Sequence, residues 1–345
     1  MAIYFWYDNL SREFLEGKLQ KLSEHGITGV TSNPTIFQLA VSKSSIYDET
    51  IRKSHHLQPE NICWDLMVED VKQACKIFKN IFEKTNRETG FVSLELHPSF
   101  ANDVQSSVMQ AEELHARVSE PNLMIKVPAT TAGLQVISEL IHKGINVNVT
   151  LIFSCNQYQR VINAYMKGLE MRQKDGLPLD TVSSVASFFV SRVDSKVDKL
   201  PDDNVRRKFF HKMATLNSHL AYLIYMQAFS SQRFLKLSGA RPQKLLWAST
   251  GVKDPSLDPL FYVKNLNFDN VVFTLPDSAL NAYLENRSLP VQQPKQLTEI
   301  VSEIHQFNSY GYFFEELLAE LLDEGVQLFQ NSFTQLVETV KTKLE

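Results

Sequence analysis

Apolar residues gather along this chain in eight short β-type runs, most of them followed by helical periodicity. The runs are Ile3 to Asp8, Gly29 to Asn33, Phe91 to Leu96, Met124 to Ala129, Asn146 to Phe153, Ser184 to Val190, Leu245 to Thr250 and Asn270 to Leu275. Strands that alternate with helices build parallel sheets, and eight such units is the count of a closed barrel; doubly wound sheets rarely need so many. The predicted fold class is α/β, a (β/α)8 TIM barrel with additional C-terminal helices.

Between the runs, Met67, Val71, Ala74, Cys75, Phe78, Ile81 and Phe82 recur at helical spacing, as do Val104, Val108, Ala111, Leu114 and Val118. Each set lays one face on the barrel. Thr130 or Thr131 can cap a helix whose buried stripe is Leu134, Ile137, Leu140 and Ile141, ending at Gly144. The stretch from Gln38 to Glu88 is long for one connection and predicts an extra helix before one that begins near Trp64. Beyond Pro290 the Pro-Val-Gln-Gln-Pro segment reads as a linker, and Leu297 to Glu345 as helices with Leu317, Leu321 and Leu328 on an apolar stripe. The expectation is one barrel domain over 1–345, with 293–345 a helical extension that closes over it or forms an interface.

Side chains alternate across a strand, so residues two apart share a face. That parity sets Asn146, Asn148 and Thr150 against Val147, Val149 and Leu151, and Ser93 and Glu95 against Val92, Leu94 and Leu96. It also groups Thr31 with Asn33 and Ser187 with Phe189, while the first run ends in Asp8. Barrel interiors are normally filled by Val, Ile and Leu, and catalytic groups sit at C-terminal strand ends. One polar residue inside is a satisfied core group; Asp8, Asn33, Glu95, Lys126, Asn148, Thr150 and Ser187 together make a site.

Lys126 stands out within Leu-Met-Ile-Lys-Val-Pro-Ala-Thr, because an ammonium is almost never fully buried unless paired. Two readings stay open from the run itself. Lys126 is a nucleophile that forms a Schiff base with a carbonyl, or it faces solvent or pairs with Glu95 or Asp8. Past the sixth run, Arg192 can grip a phosphate bidentately, or pair with Asp194 or Asp198. The seventh run leads into Ala-Ser-Thr-Gly-Val-Lys-Asp-Pro, where backbone N–H groups, Ser249 and Lys253 suit an anion.

Composition narrows the classes. Hydrophobic residues make up 43% and charged residues 21% of 345, the balance of a globular protein rather than a disordered or membrane one. Net charge is −4 with Lys and Arg scattered, which argues against nucleic-acid binding. None of the 12 glycines builds a dinucleotide or ATP loop. The nine histidines show no metal spacing, so neither a metal nor a cofactor is expected, and His97 either supports Glu95 or merely ends its strand. Three cysteines fit a reduced compartment, Cys155 reading as a small buried hydrophobe more readily than as a nucleophile. The stretch from Met1 to Asp8 lacks a basic leader region, and the expected location is cytoplasmic, with no membrane partner and a possible homo-oligomer.

Six motifs resemble those of the transaldolases of bacterial type. They are Gly-Val-Thr-Ser-Asn-Pro-Thr-Ile-Phe (29 to 37), Val-Ser-Leu-Glu-Leu (92 to 96), Ile-Lys-Val-Pro-Ala-Thr (125 to 130), Gly-Ile-Asn-Val-Asn-Val-Thr-Leu-Ile-Phe-Ser (144 to 154), Val-Ala-Ser-Phe-Phe-Val-Ser-Arg-Val-Asp (185 to 194) and Trp-Ala-Ser-Thr-Gly-Val-Lys-Asp-Pro (247 to 255). The resemblance implies transfer of a dihydroxyacetone unit from a ketose phosphate, sedoheptulose 7-phosphate or fructose 6-phosphate, to an aldose phosphate, glyceraldehyde 3-phosphate or erythrose 4-phosphate. It implies Lys126 as Schiff-base nucleophile, Glu95 as proton shuttle through a water held by Thr150, and Asp8 as base at the C4 hydroxyl. Asn33, Asn148 and Ser187 would bind donor hydroxyls, Phe189 matches the transferase pattern, and Arg192, Ser249 and Lys253 would hold the phosphate. Val252 and Asp254 depart from a usual Gly-Thr-Lys-Asn-Pro loop. A fructose 6-phosphate aldolase that releases free dihydroxyacetone, and a non-catalytic sugar-phosphate-binding barrel, are the alternatives.

Overall fold

A computed structural model describes residues 3–345; Met1 and Ala2, the start of the stretch read above for a leader, lie outside the described residues. Eight parallel strands close into a barrel in sequence order: β1 (Ile3–Tyr7), β2 (Ile27–Thr31), β3 (Val92–Glu95), β4 (Leu123–Pro128), β5 (Val147–Ile152), β6 (Ser184–Phe189), β7 (Lys244–Ala248) and β8 (Val271–Leu275). The predicted α/β barrel is therefore the observed one. The strand ends fall within one or two residues of their predicted places, and two of the two-residue shifts have local causes. Asn33 leaves β2 to cap the helix Pro34–Lys43, its side chain accepting the Ile36 N–H at 2.9 Å. Ser249 ends β7 because its φ of 55° lies in the left-handed region, which no strand continues through.

The connections at the C-terminal ends of the strands are pinned by helix caps. Thr130 caps the helix Thr131–Lys143 by accepting the Gly133 N–H, and Gly144 closes it at φ 84°. Gly133 is required here for space, since a Cβ would meet the Pro128 carbonyl oxygen at 1.9 Å. That close approach seats the helix directly on the end of β4. The long connection before β3 holds two helices, Pro34–Lys43 and Asp48–Lys53, ahead of the helix Pro59–Lys84, which starts five residues before Trp64. One extra helix was expected and two are found.

The C-terminal helix Phe314–Leu344 runs across the mouth of the barrel. It buries Phe314, Leu318, Leu321, Gly325, Phe329, Ser332, Leu336 and Val340, spaced three and four apart as one helical face requires. It packs on the helices Pro34–Lys43, Pro59–Lys84 and Ser191–Val197 and on β5. The expected stripe is corrected in part: Leu321 is buried, Leu317 is half-buried, and Leu328 is 41% exposed at the mouth. Leu318 and Phe329, one position further on in each case, carry the packing instead. The 290–294 linker has no regular structure and is tied down, with the Asn267 side chain donating to the Leu289 and Pro290 carbonyls at 3.0 Å each. Among the described residues, no helix is long and apolar enough to cross a membrane.

Candidate active site

Parallel register aligns the central polar residues across three strands. Glu95 pairs with Lys126 and Lys126 with Asn148, so all three stand at one level inside the barrel, and Thr150 stands one step nearer the mouth beside Pro128. Just beyond Thr150 the β5–β6 register slips, and Leu151 takes φ 56°. Such irregularities turn side chains at the rims of barrels.

Lys126 is 5% exposed, and its Nζ lies 3.3 Å from Glu95 Oε2 while donating to the Ser32 carbonyl at 3.1 Å. The reading of Lys126 as a solvent-facing lysine is thereby excluded. The contact with Glu95 is an ion pair out of line for a hydrogen bond, so Oε2 is left without a donor, and buried Thr150 Oγ1 also lacks a partner. Asp8 accepts a hydrogen bond from Thr31 Oγ1 at 2.7 Å. Burial raises the Asp8 carboxyl above its ordinary value, against the pull of Lys126, the Thr31 bond and Arg192. Burial likewise raises Glu95, opposed chiefly by Lys126 and assisted by Asp8. Both acids are thus disposed to hold or pass a proton.

A cavity of about 210 Å³ opens above these groups. Asp8, Asn33, Lys126, Thr150 and Ser187 reach its wall, as do Phe189, Arg192 and Ser249. Three predicted residues do not. Glu95 lies behind Lys126, bordering two small cavities of about 10 Å³ each. Asn148 is fully buried, its Nδ2 donating to Ser93 Oγ at 3.0 Å and its Oδ1 accepting from Ser187 Oγ at 2.7 Å. Lys253 is exposed and outside the lining. Arg192 stands over the Phe189 ring at 5.5 Å and has no acceptor among the described residues, while its rival partners are engaged elsewhere. Asp194 accepts from Ala214 N at 2.8 Å and Tyr262 OH at 2.9 Å, and Asp198 faces His211. A half-buried guanidinium with free donors beside Ser249 has the geometry to take an anion.

Sequence parity missed part of the wall. Thr274 of β8 and Leu328 and Phe329 of the C-terminal helix line the cavity. Thr274 shares its strand face with Val272, a signal available but unread; the two helical residues come from the far end of the chain, where the only signal was an apolar helical extension that could close over the barrel.

The geometry defines a barrel with a lysine and two carboxyls on its inner wall and an anion-ready arginine at the rim. Comparison with known proteins agrees in class: residues 5–340 match the family described as transaldolase/fructose-6-phosphate aldolase. Proteins named transaldolase are similar along the whole length. The one from Saccharopolyspora erythraea is 39% identical, over 100% of this chain and 96% of its own. Those from Renibacterium salmoninarum and Trichodesmium erythraeum are 38% and 35% identical, each over 99% of this chain and 94% of theirs. The chain belongs to the transaldolase/fructose-6-phosphate aldolase family, and it is an enzyme of transaldolase type, a transferase.

Proposed function

We propose that this enzyme moves a dihydroxyacetone unit from sedoheptulose 7-phosphate or fructose 6-phosphate to glyceraldehyde 3-phosphate or erythrose 4-phosphate, in the non-oxidative pentose phosphate pathway of the cytoplasm. One observation carries the reading: the Lys126 amine sits in a closed barrel, 3.3 Å from one acid and on the wall of a cavity it shares with another. The amine adds to the C2 carbonyl of the ketose to give a carbinolamine. Glu95, through a water held with Thr150, gives the departing hydroxyl its proton; the two donor-less oxygens support that pairing.

The iminium then withdraws electrons from C2. Asp8 takes the proton from the C4 hydroxyl, the C3–C4 bond breaks, its electron pair forms an enamine, and the aldose leaves. A base placed this way contributes typically ~10² to 10⁴ in rate. The incoming aldose phosphate reverses these steps, and hydrolysis frees Lys126. Ser187 and Asn33 hold donor hydroxyls, Asn148 fixes Ser187 from beneath, and Arg192 with Ser249 holds the phosphate, with Lys253 on the same loop.

Borohydride reduction in the presence of fructose 6-phosphate tests the central step. A reduced three-carbon adduct is expected on Lys126 and absent from Lys126→Ala; an adduct on another residue, or none, overturns the mechanism. Omitting the aldose acceptor separates transferase from aldolase. Dihydroxyacetone released at the full rate would establish the aldolase reading.

A further inference from the structure

Asp254, one of the two departures in the loop after β7, has a partner of its own. Its Oδ2 accepts a hydrogen bond from Nε2 of His211 at 3.2 Å; Nδ1 of the same ring lies 2.9 Å from Asp198 Oδ2 but out of line for a hydrogen bond, so the residue is tied to Asp198 through its backbone. Asp254 also accepts from Ser256 N at 2.8 Å and Ser256 Oγ at 2.7 Å. A carboxylate only accepts, so the proton of that contact belongs to Nε2. The His211 backbone N–H donates to Asp198 Oδ1 at 3.3 Å, and the residue is held at φ 52°. His211 does not line the cavity, so whatever it does there it does through others.

The two carboxylates belong to the two segments that anion binding needs. Asp198 ends the helix Ser191–Val197, in which Arg192 is the second residue. Asp254 lies on the loop that begins at Ser249. At their other ends the same segments are joined directly: Ser191 N donates to the Ser249 carbonyl at 2.9 Å, and the two hydroxyls are 2.9 Å apart. A strut at each end therefore fixes the spacing between the arginine and the loop.

We propose that His211 is a positioning residue for anion recognition: the Asp198–His211–Asp254 bridge holds the loop after β7 in register with Arg192, so that Ser249 meets the phosphate already placed. The inference rests on the phosphate reading of Arg192 and Ser249 given above. A phosphate gripped from two segments is bound well only when their separation is right. A loop freed from its strut must be ordered on binding, which weakens affinity more than it slows chemistry.

The test uses His211→Asn, Asp254→Ala, their double variant and Asp254→Asn, with Arg192→Ala as reference; asparagine tolerates the left-handed backbone at 211. The readouts are KM for fructose 6-phosphate, the inhibition constant of inorganic phosphate, and kcat at saturating donor. His211→Asn and Asp254→Ala are each expected to raise KM and the inhibition constant about 3- to 10-fold with kcat within about twofold, and the double variant no further, as coupled residues behave. Asp254→Asn keeps an acceptor for Nε2–H and is expected to restore most of the affinity.

If Arg192→Ala weakens phosphate binding while His211→Asn and Asp254→Ala do not, the strut is overturned and the phosphate reading survives. If Arg192→Ala itself leaves KM and phosphate inhibition unchanged, the phosphate reading falls and the strut with it. A loss of kcat and melting temperature with KM unmoved would make the bridge a brace for the fold and overturn the inference.

Discussion

Two buried lysines face glutamates in this barrel, at opposite ends, and the contrast between them separates a structural ion pair from a reactive one. Lys244 opens β7 at the N-terminal end, donates to the Glu88 carboxylate and to its backbone carbonyl at 3.1 Å, and lies 5.1 Å from the Tyr4 ring centroid. Arg241 takes the other Glu88 oxygen at 2.6 Å. Burial works to raise Glu88, yet Lys244 and Arg241 outweigh it and hold the carboxyl below its ordinary value. Toward the other end, burial raises Glu95 and Lys126 does not bring it back. The lower pair has its bonds made; the upper pair keeps a donor-less oxygen beside a primary amine. Barrels place chemistry at the C-terminal ends of their strands and stability at the N-terminal ends, and these two pairs follow that division.

Removing charge from the upper pair is the strongest way to break the contrast. Glu95→Gln keeps the shape and cannot shuttle a proton. The expected loss in the rate of adduct formation with fructose 6-phosphate is about 10²- to 10³-fold, within the range of one general acid–base group. Single-turnover trapping with borohydride measures it. Retention of the rate within tenfold would make Glu95 a counter-charge rather than a proton carrier.

Asp194 sharpens the contrast, because it is a buried carboxyl whose two oxygens are both bonded, to Ala214 N and Tyr262 OH. Burial nonetheless pushes it up to about 6 from its ordinary 3.8. A pKa raised on folding means that the folded state binds the proton more tightly. Its stabilisation is whole below about pH 4 and is lost as the pH rises through about 6, on the order of 3 kcal/mol. Asp194→Asn cannot ionise. The stability of the wild type relative to the variant is therefore expected to fall between pH 4 and pH 7, as read by denaturant titration at both. A gap independent of pH would mean that His211 and the two donors neutralise the charge in place.

Strand parity explains why so much of the site could be read ahead of the fold. A period of two decides which side chains point inward, and in a closed barrel that places Asp8, Lys126, Thr150 and Ser187 on one wall. It cannot say which polar groups are spent on each other: Asn148, which the resemblance makes a donor ligand, has its amide engaged by Ser93 and Ser187. Nor can it place what arrives from far along the chain. Phe329 reaches the cavity only because the helix Phe314–Leu344 crosses the mouth, and choosing Leu328 for its buried stripe was off by one position. Lys244 shows the limit most clearly. In Gln-Lys-Leu-Leu-Trp it is as lone a lysine among apolar residues as Lys126, and only its place at the start of its strand distinguishes the two.

That ambiguity gives the smallest effect and the most direct check. Lys244→Met keeps much of the apolar stem and removes the ammonium. Glu88 would retain Arg241, and its side chain is 39% exposed, so the strain of an unpaired charge is relieved in part. The expected destabilisation is about 1–2 kcal/mol, short of the roughly 3–5 that follows breaking a fully enclosed pair. Transfer activity per folded molecule should stay within about twofold, since nothing at the bottom of the barrel touches the cavity. Melting temperature and kcat, taken on the same preparation, separate the two outcomes. A tenfold fall in kcat with little thermal loss would mean that the lower pair tunes the upper one through the barrel interior, and the division between a structural end and a chemical end would fail.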